Sequence, residues 1–244
     1  MKTRKQLPAF GYLKDWHIDI GQLILHLRNH NLLDMNTYNC CKFSTAGNNA
    51  KQLLAVNHII YNQYFKQEAE KELESNKFVQ IQLTEFNGNC SNSQIEYHPS
   101  SYIERARRVN PDHPKYVPVA DELNYGQRGP LVIGEIEKIF DMFTSKITRA
   151  RLNYLEAGHE IKPHIDHDPS YVTRYHIPVL TNPGVEMHIE KQGQLHTQHL
   201  PADGRVYFFN AGFKHWVKNE SNAARLHLII DVHGQHELDQ LVEI

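Results

Sequence analysis

Nowhere in the 244 residues do some 18 apolar residues follow one another, so no membrane-spanning helix is expected. The basic segment Met1 to Phe10 also lacks the apolar run of a secretory leader. Cysteine is scarce. Cys40, Cys41 and Cys90 are odd in number, two are adjacent, and they form neither a CxxC pair nor a secreted disulfide framework. A reducing, cytoplasmic compartment fits that usage. Excess charge of one sign is missing too: 26 Lys+Arg against 28 Asp+Glu leave a formal net charge of -2 and a pI near 6.8. Neither nucleic acid nor an anionic membrane is an expected partner, because the one basic cluster, Arg105, Arg107 and Arg108, is diluted by acidic neighbours. Internal repeats and low-complexity segments are absent.

Histidine is abundant, at 17, and chance His-containing patterns become common. His17-Ile18-Asp19 and His164-Ile165-Asp166 are the same tripeptide, so context must separate them. From Trp16 to about Asn31 the residues Ile20, Leu23, Ile24 and Leu27 recur at helical spacing, which places His17 and Asp19 near a helix start. Gln63 to Asn76 reads as another helix and Phe78 to Leu83 as a strand. Gly88 to Arg128 is a long irregular excursion, of the kind that serves as a lid or binding loop. Leu131 to Phe143 carries Ile133, Ile136, Phe140 and Phe143 on one helical face.

After that helix the hydrophobic period changes to two. Strands are expected at Thr148–Leu155, Thr173–Leu180, Val185–Glu190, Leu195–Leu200, Gly204–Asn210, His215–Asn219 and Arg225–Val232, punctuated by Asn182-Pro183-Gly184, Gln192-Gly193 and Asp203-Gly204. Many short strands argue a jelly roll. The expected fold is mainly β with α: a helical and irregular region over 1–128, with a substrate lid, and a double-stranded β-helix of cupin-like type over 129–244, forming one cooperative unit.

Residues two apart on a strand face the same way, so His164 and Asp166 can reach one metal ion from a single strand or its end, and His215 can complete the set from a later strand. Two imidazoles and one carboxylate on one face of an octahedral ion are typical of non-haem Fe(II) oxygenases. The final strand places Leu226, Leu228, Ile230 and Val232 on one face, and Arg225, His227 and Asp231 with Ile229 on the other. An inward Arg needs an anionic partner, for which a ligand carboxylate suits its guanidinium fork. Arg174 and His176 are co-facial in the same way, and two inward Arg-x-His pairs suggest a dianionic co-substrate.

These residues carry a family resemblance. The stretch from about Arg151 to Leu238 resembles the aspartyl/asparaginyl β-hydroxylase family of Fe(II)/2-oxoglutarate dioxygenases, whose relatives include hydroxylases of free proline. The resembling elements are His164-x-Asp166, Arg174-Tyr175-His176-Ile177-Pro178, Gly204 to Asn210, His215, and Arg225 to Val232. The resemblance implies a double-stranded β-helix with iron held at His164 and His215. It implies 2-oxoglutarate clamped by Arg225, with Arg174 and His176 lining the co-substrate site and Asn153 a further candidate there. Some aspartyl hydroxylases lack the acidic ligand; this chain keeps Asp166, as the free-proline hydroxylases do, and a carboxylate there argues against halogenation.

The expected cofactors are Fe(II), 2-oxoglutarate and O2, and the expected substrate is an amino acid, free or peptidyl. The alternatives are oxygenation of another small metabolite and a non-catalytic cupin-like metal-binding or sensing module. The oligomeric state is open. His167 and Asp168 are expected to cap a loop, His188, His196 and His199 to face solvent, and Trp216 to sit in the core. Tyr125, Arg128 and the Arg105 to Arg108 cluster are candidates for substrate contact or for surface ion pairs.

Overall fold

The computed structural model describes residues 1–33, 78–85, 123 and 126–244. The helix read at Gln63 to Asn76, the three cysteines, Tyr125 and the Arg105 to Arg108 cluster lie outside the described residues. So does nearly all of the Gly88 to Arg128 excursion.

In chain order the elements are β1 (Phe10–His17), α1 (Ile20–Asn29), β2 (Phe78–Gln82), β3 (Thr84–Glu85), β4 (Gln127–Arg128) and α2 (Gly134–Met142). Then come β5 (Lys146–Leu155), β6 (Glu160–His164), β7 (Thr173–Leu180), β8 (Val185–Lys191) and β9 (Gln194–Gln198). The last are β10 (Arg205–Phe209), β11 (Lys214–Asn219), β12 (Arg225–His233) and β13 (Leu241–Glu243).

The larger sheet has the order β13-β1-β10-β7-β12-β5-β2 and the smaller β6-β11-β8-β9, with every pairing in both antiparallel. This is a mainly β jelly roll of cupin type. Gln192 and Gly193 both adopt positive φ, 52° and 81°, as a two-residue hairpin loop with the right twist requires, and so join β8 to β9.

Alternation along the strands of the larger sheet separates two environments. Leu152, Tyr154, Tyr175, Ile177, Phe208, Leu226, Leu228 and Ile230 face outward and are buried under Leu23 and Leu27 of α1 and Ile136, Ile139 and Phe140 of α2. The inward face meets the smaller sheet, where Leu155, Val185, Met187, Ile189, Tyr207, Phe209 and Val217 form a second apolar cluster. Each of those fully buried aliphatic or aromatic side chains contributes about 1.5–3 kcal/mol. Most of the remaining inward positions are polar, among them Arg151, Asn153, His176, Arg225, His227 and Asp231.

Two expectations about helix starts need correction. Trp16 and His17 end strand β1 rather than start a helix, because β1 pairs with β10 and β13 in the larger sheet. The helix starts after Asp19, whose side chain accepts from the Gln22 amide at 3.0 Å and caps it. The first His-Ile-Asp is therefore split between a strand end and a cap. Ile133, expected on the buried face of its helix, sits just before α2 and is 43% exposed.

Candidate metal centre and its polar interior

His164 is the last residue of β6, and His215 lies directly opposite it on β11. Asp166 is beyond the strand, its amide donating to the Ala211 carbonyl at 3.0 Å. The three side chains converge. His164 Nε2 is 3.8 Å and His215 Nε2 3.7 Å from Asp166 Oδ2, and one ligand atom from each of the three lies within 4.8 Å of the others. His164 Nδ1 faces the Lys162 carbonyl at 2.7 Å and His215 Nδ1 the Phe213 carbonyl at 2.9 Å. In each ring Nδ1 is placed to donate to a backbone carbonyl, which turns Nε2 toward the point shared with Asp166, as metal-binding histidines are commonly oriented.

Burial, reinforced by His164, pushes the His215 pKa down to about 3, with Asp166 opposing the shift, so the ring is neutral at pH 7. Burial alone would raise the Asp166 pKa, but Arg174, His164 and His215 outweigh it and hold the carboxyl well below its ordinary value. Two imidazoles and one ionised carboxylate match the donor set of a divalent first-row metal.

Behind Asp166 runs a buried ionic chain. Arg174 donates from Nη1 to Asp166 and grips Asp231 with Nε and Nη2 at 2.7 and 2.9 Å. Asp231, fully buried, also accepts from Arg151 Nη1 at 2.8 Å. The fork geometry orients both guanidinium groups. Arg174 thus lies inside as the sequence implies, with its donors taken by two carboxylates of the chain. Arg151 is not singled out by the sequence pattern, although it stands two residues before Asn153 on the same strand.

A second polar cluster surrounds Arg225, which is fully buried. Its Nη1 donates to Asn153 Oδ1 at 2.9 Å and its Nη2 to His227 Nδ1 at 2.7 Å, while Nε has no hydrogen-bond partner among the described residues. No carboxylate is paired with it there, and burial depresses its pKa to about 9, so it stays a cation at pH 7. The Arg225 bond leaves the His227 proton on Nε2. His176 Nδ1 lies 3.3 Å from His227 Nδ1. Among the described residues, the Nε2 atoms of His176 and His227 are both buried without partners. Phe209 packs against the rings of both His176 and His215, so the anion-seeking cluster and the triad share one wall.

Three buried neutral histidines make the fold acid-sensitive. Burial, then Arg225, holds His176 and His227 well below 6.5, and His215 is lowered as above. Below pH 6.5 the unfolded chain binds protons that the folded chain refuses. The stability present above that pH is therefore lost as pH falls, by about 1.4 kcal/mol per pH unit for each such group. Urea unfolding of the metal-free protein should show a midpoint that falls steadily from pH 7 to pH 5. A midpoint constant over that range would mean that these rings titrate normally.

Other expectations fall out differently. Trp216 is only half-buried and stacks on His188, ring centroids 5.0 Å apart and 19° from parallel, on the outer face of the smaller sheet. Its neighbour His215 points inward, so alternation sends Trp216 out. His188 is buried rather than solvent-facing, and its Nδ1 pairs with Thr197 Oγ1. His196 and His199 are half-buried. Asp168 does cap its loop, accepting from the Ser170 amide and hydroxyl at 3.0 and 2.8 Å. Arg128 pairs with Asp141 and Glu137 of α2.

A jelly roll with two histidines and a carboxylate converging on one point defines a cupin-type protein with a candidate metal centre. Residues 123–234 match the model of the aspartyl/asparaginyl beta-hydroxylase family. The match supports the family read from the sequence, and with it a hydroxylase-type function. No curated protein matches the chain. Among solved structures, a cupin domain from Bordetella pertussis Tohama I is 21% identical, with 35% of this chain and 81% of that chain covered, at a TM-score of 0.28. Oxalate decarboxylase from Bacillus subtilis is 19% identical over 38% of this chain and 23% of that chain, TM-score 0.29. The Schizosaccharomyces pombe Cnp3 cupin domain is 15% identical over 38% of this chain and 60% of that chain, TM-score 0.27. The fold assignment stands on the strand order and registers above. Among the described residues no helix is long and apolar enough to cross a membrane.

Proposed function

We propose that the protein is an Fe(II)/2-oxoglutarate-dependent dioxygenase that hydroxylates an amino acid, free or within a peptide. The observation that carries this reading is Arg225, a fully buried cation with no carboxylate paired to it among the described residues, in the same interior as the triad. A site that keeps such a charge is made for an anion.

His164, Asp166 and His215 would hold the iron through two Nε2 lone pairs and one carboxylate. Bound iron with 2-oxoglutarate supplies the oxidising chemistry, in which O2 and the keto acid yield succinate, carbon dioxide and a hydroxylated C–H position. Arg225 would pair with a carboxylate of the keto acid, backed by Asn153 and His227. The Nε2 of His227, without a partner among the described residues, would offer that carboxylate a further donor. Arg174 holds Asp166 in place and is itself held by Asp231. Phe209 contributes an apolar wall that keeps water from the region between the two clusters.

Anaerobic titration with Fe(II) and 2-oxoglutarate tests the reading. The weak visible charge-transfer band of a chelated keto acid should develop, and should be lost in His215→Ala. Folded protein that binds iron but gives no band would overturn the keto-acid assignment, and iron affinity unchanged in His215→Ala would overturn the metal centre.

A further inference from the structure

We propose that Arg4 is a positioning residue that ties together the two ligand-bearing loops, so that residues outside the family-matched segment set how tightly the centre holds a divalent cation. The proposal rests on the reading of His164, Asp166 and His215 as metal ligands.

Asp166 belongs to no strand: its amide is tied to the Ala211 carbonyl and its carboxylate to Arg174, and the loop that follows it is held separately. Two positions later, the Asp168 carboxylate accepts from the Arg4 amide at 3.2 Å and pairs with Arg4 Nε at 3.8 Å. The same guanidinium donates from Nη1 to the Gly212 carbonyl, three residues before His215. Its Cζ also lies 5.5 Å from the centre of the Phe213 ring. Phe213 is the residue whose carbonyl orients the His215 ring. One side chain therefore touches the loop after Asp166 and the loop before His215.

The loops are in close approach at this point. A Cβ added to Gly212 would lie 3.0 Å from Pro169 Cδ and 3.1 Å from Arg4 Cβ. The strap is anchored from beneath: Asn210, fully buried, donates its Nδ2 to the carbonyls of Arg4 and Pro8 at 3.0 and 2.9 Å. A half-exposed ion pair contributes little by itself. What a simpler cation cannot reproduce is a fork that serves a carboxylate, a carbonyl and a ring face together.

Co(II) is the probe, bound to the full chain without oxygen, with affinity read by calorimetry and ligand geometry by its visible spectrum. Arg4→Ala should weaken Co(II) binding by up to about 10-fold, the low end of what loss of a direct partner of a metal ligand costs, and should alter the spectrum. Arg4→Lys should recover part of the affinity, and the exposed neighbour Lys5→Ala should match wild type. Wild-type affinity and spectrum in Arg4→Ala would overturn the proposal. Should Arg4→Ala not fold, Asp168→Asn tests the strap from its other end, and wild-type Co(II) affinity there overturns it equally. Undiminished Co(II) binding in His215→Ala would instead overturn the underlying metal-site reading, an outcome distinct from an effect confined to Arg4.

Discussion

Asp231→Ala is expected to cost about 3–5 kcal/mol of folding stability, enough to remove much of the stability of an ordinary domain. Asp231 is fully buried and is the shared partner of Arg174 and Arg151. Its pKa is held far below normal: burial opposes ionisation, and the two guanidinium groups more than offset it. Removing the carboxylate leaves two buried cations facing each other, with Arg151 nearly enclosed at 5% side-chain exposure. Repulsion then adds to the lost pairing. Asp231→Asn should be almost as damaging, since it keeps the shape but not the charge. Chemical denaturation measures the effect directly. A loss below about 1 kcal/mol in either variant would mean that water or a rotated Asp166 satisfies the arginines, and that the chain of ion pairs does not hold the interior together.

Arg225→Met is expected to do the opposite to stability while removing function. Among the described residues the wild-type guanidinium has only Asn153 and His227 as partners, and one N–H has none. Its charge opposes folding, as the downward shift of its pKa shows. A methionine of similar length removes that desolvation and fills the same space. Stability of the protein without keto acid should be unchanged or rise by about 1–4 kcal/mol. Binding of 2-oxoglutarate should weaken by about 2–5 kcal/mol, the usual cost of deleting one partner of a buried charge pair. Calorimetric binding to the Co(II)-loaded protein beside urea unfolding gives both numbers. Loss of stability with unchanged keto-acid affinity would make Arg225 a structural residue and shift the clamp elsewhere.

These contrasting arginines also show how far the sequence can be read. Alternation in Thr173–Leu180 and Arg225–Val232 is plain, because each strand has one predominantly apolar face and one mixed face. The bounds of β7 and the start of β12 are accordingly legible. The co-facial placement of His164 and Asp166 comes from the tripeptide, and His215 from strand context. The start of α1 is misplaced because the apolar spacing runs back through Trp16, whereas pairing of β1 with strands some 190 and 230 residues away decides its conformation. Trp216 is misjudged by residue type, although its neighbour's inward direction fixes its own. The division of labour among the buried arginines is illegible. Whether an inward Arg meets Asp231 or only an amide and an imidazole depends on which strands adjoin, and β12 lies between β7 and β5. The Arg4 strap joins positions 164 and 208 residues apart and leaves no local pattern at all.

With the metal proposed for His164 and His215, their facing across β6 and β11 would make metal loading a proofreading step for the fold. With a side-chain period of two, a slip of one residue between these strands would turn one imidazole to the opposite side of the sheet. A slipped chain cannot present both nitrogens to one ion, so the ion adds its binding free energy only to molecules in the correct register. Misregistered molecules gain nothing from it, and the population is drawn toward the arrangement in which the centre exists.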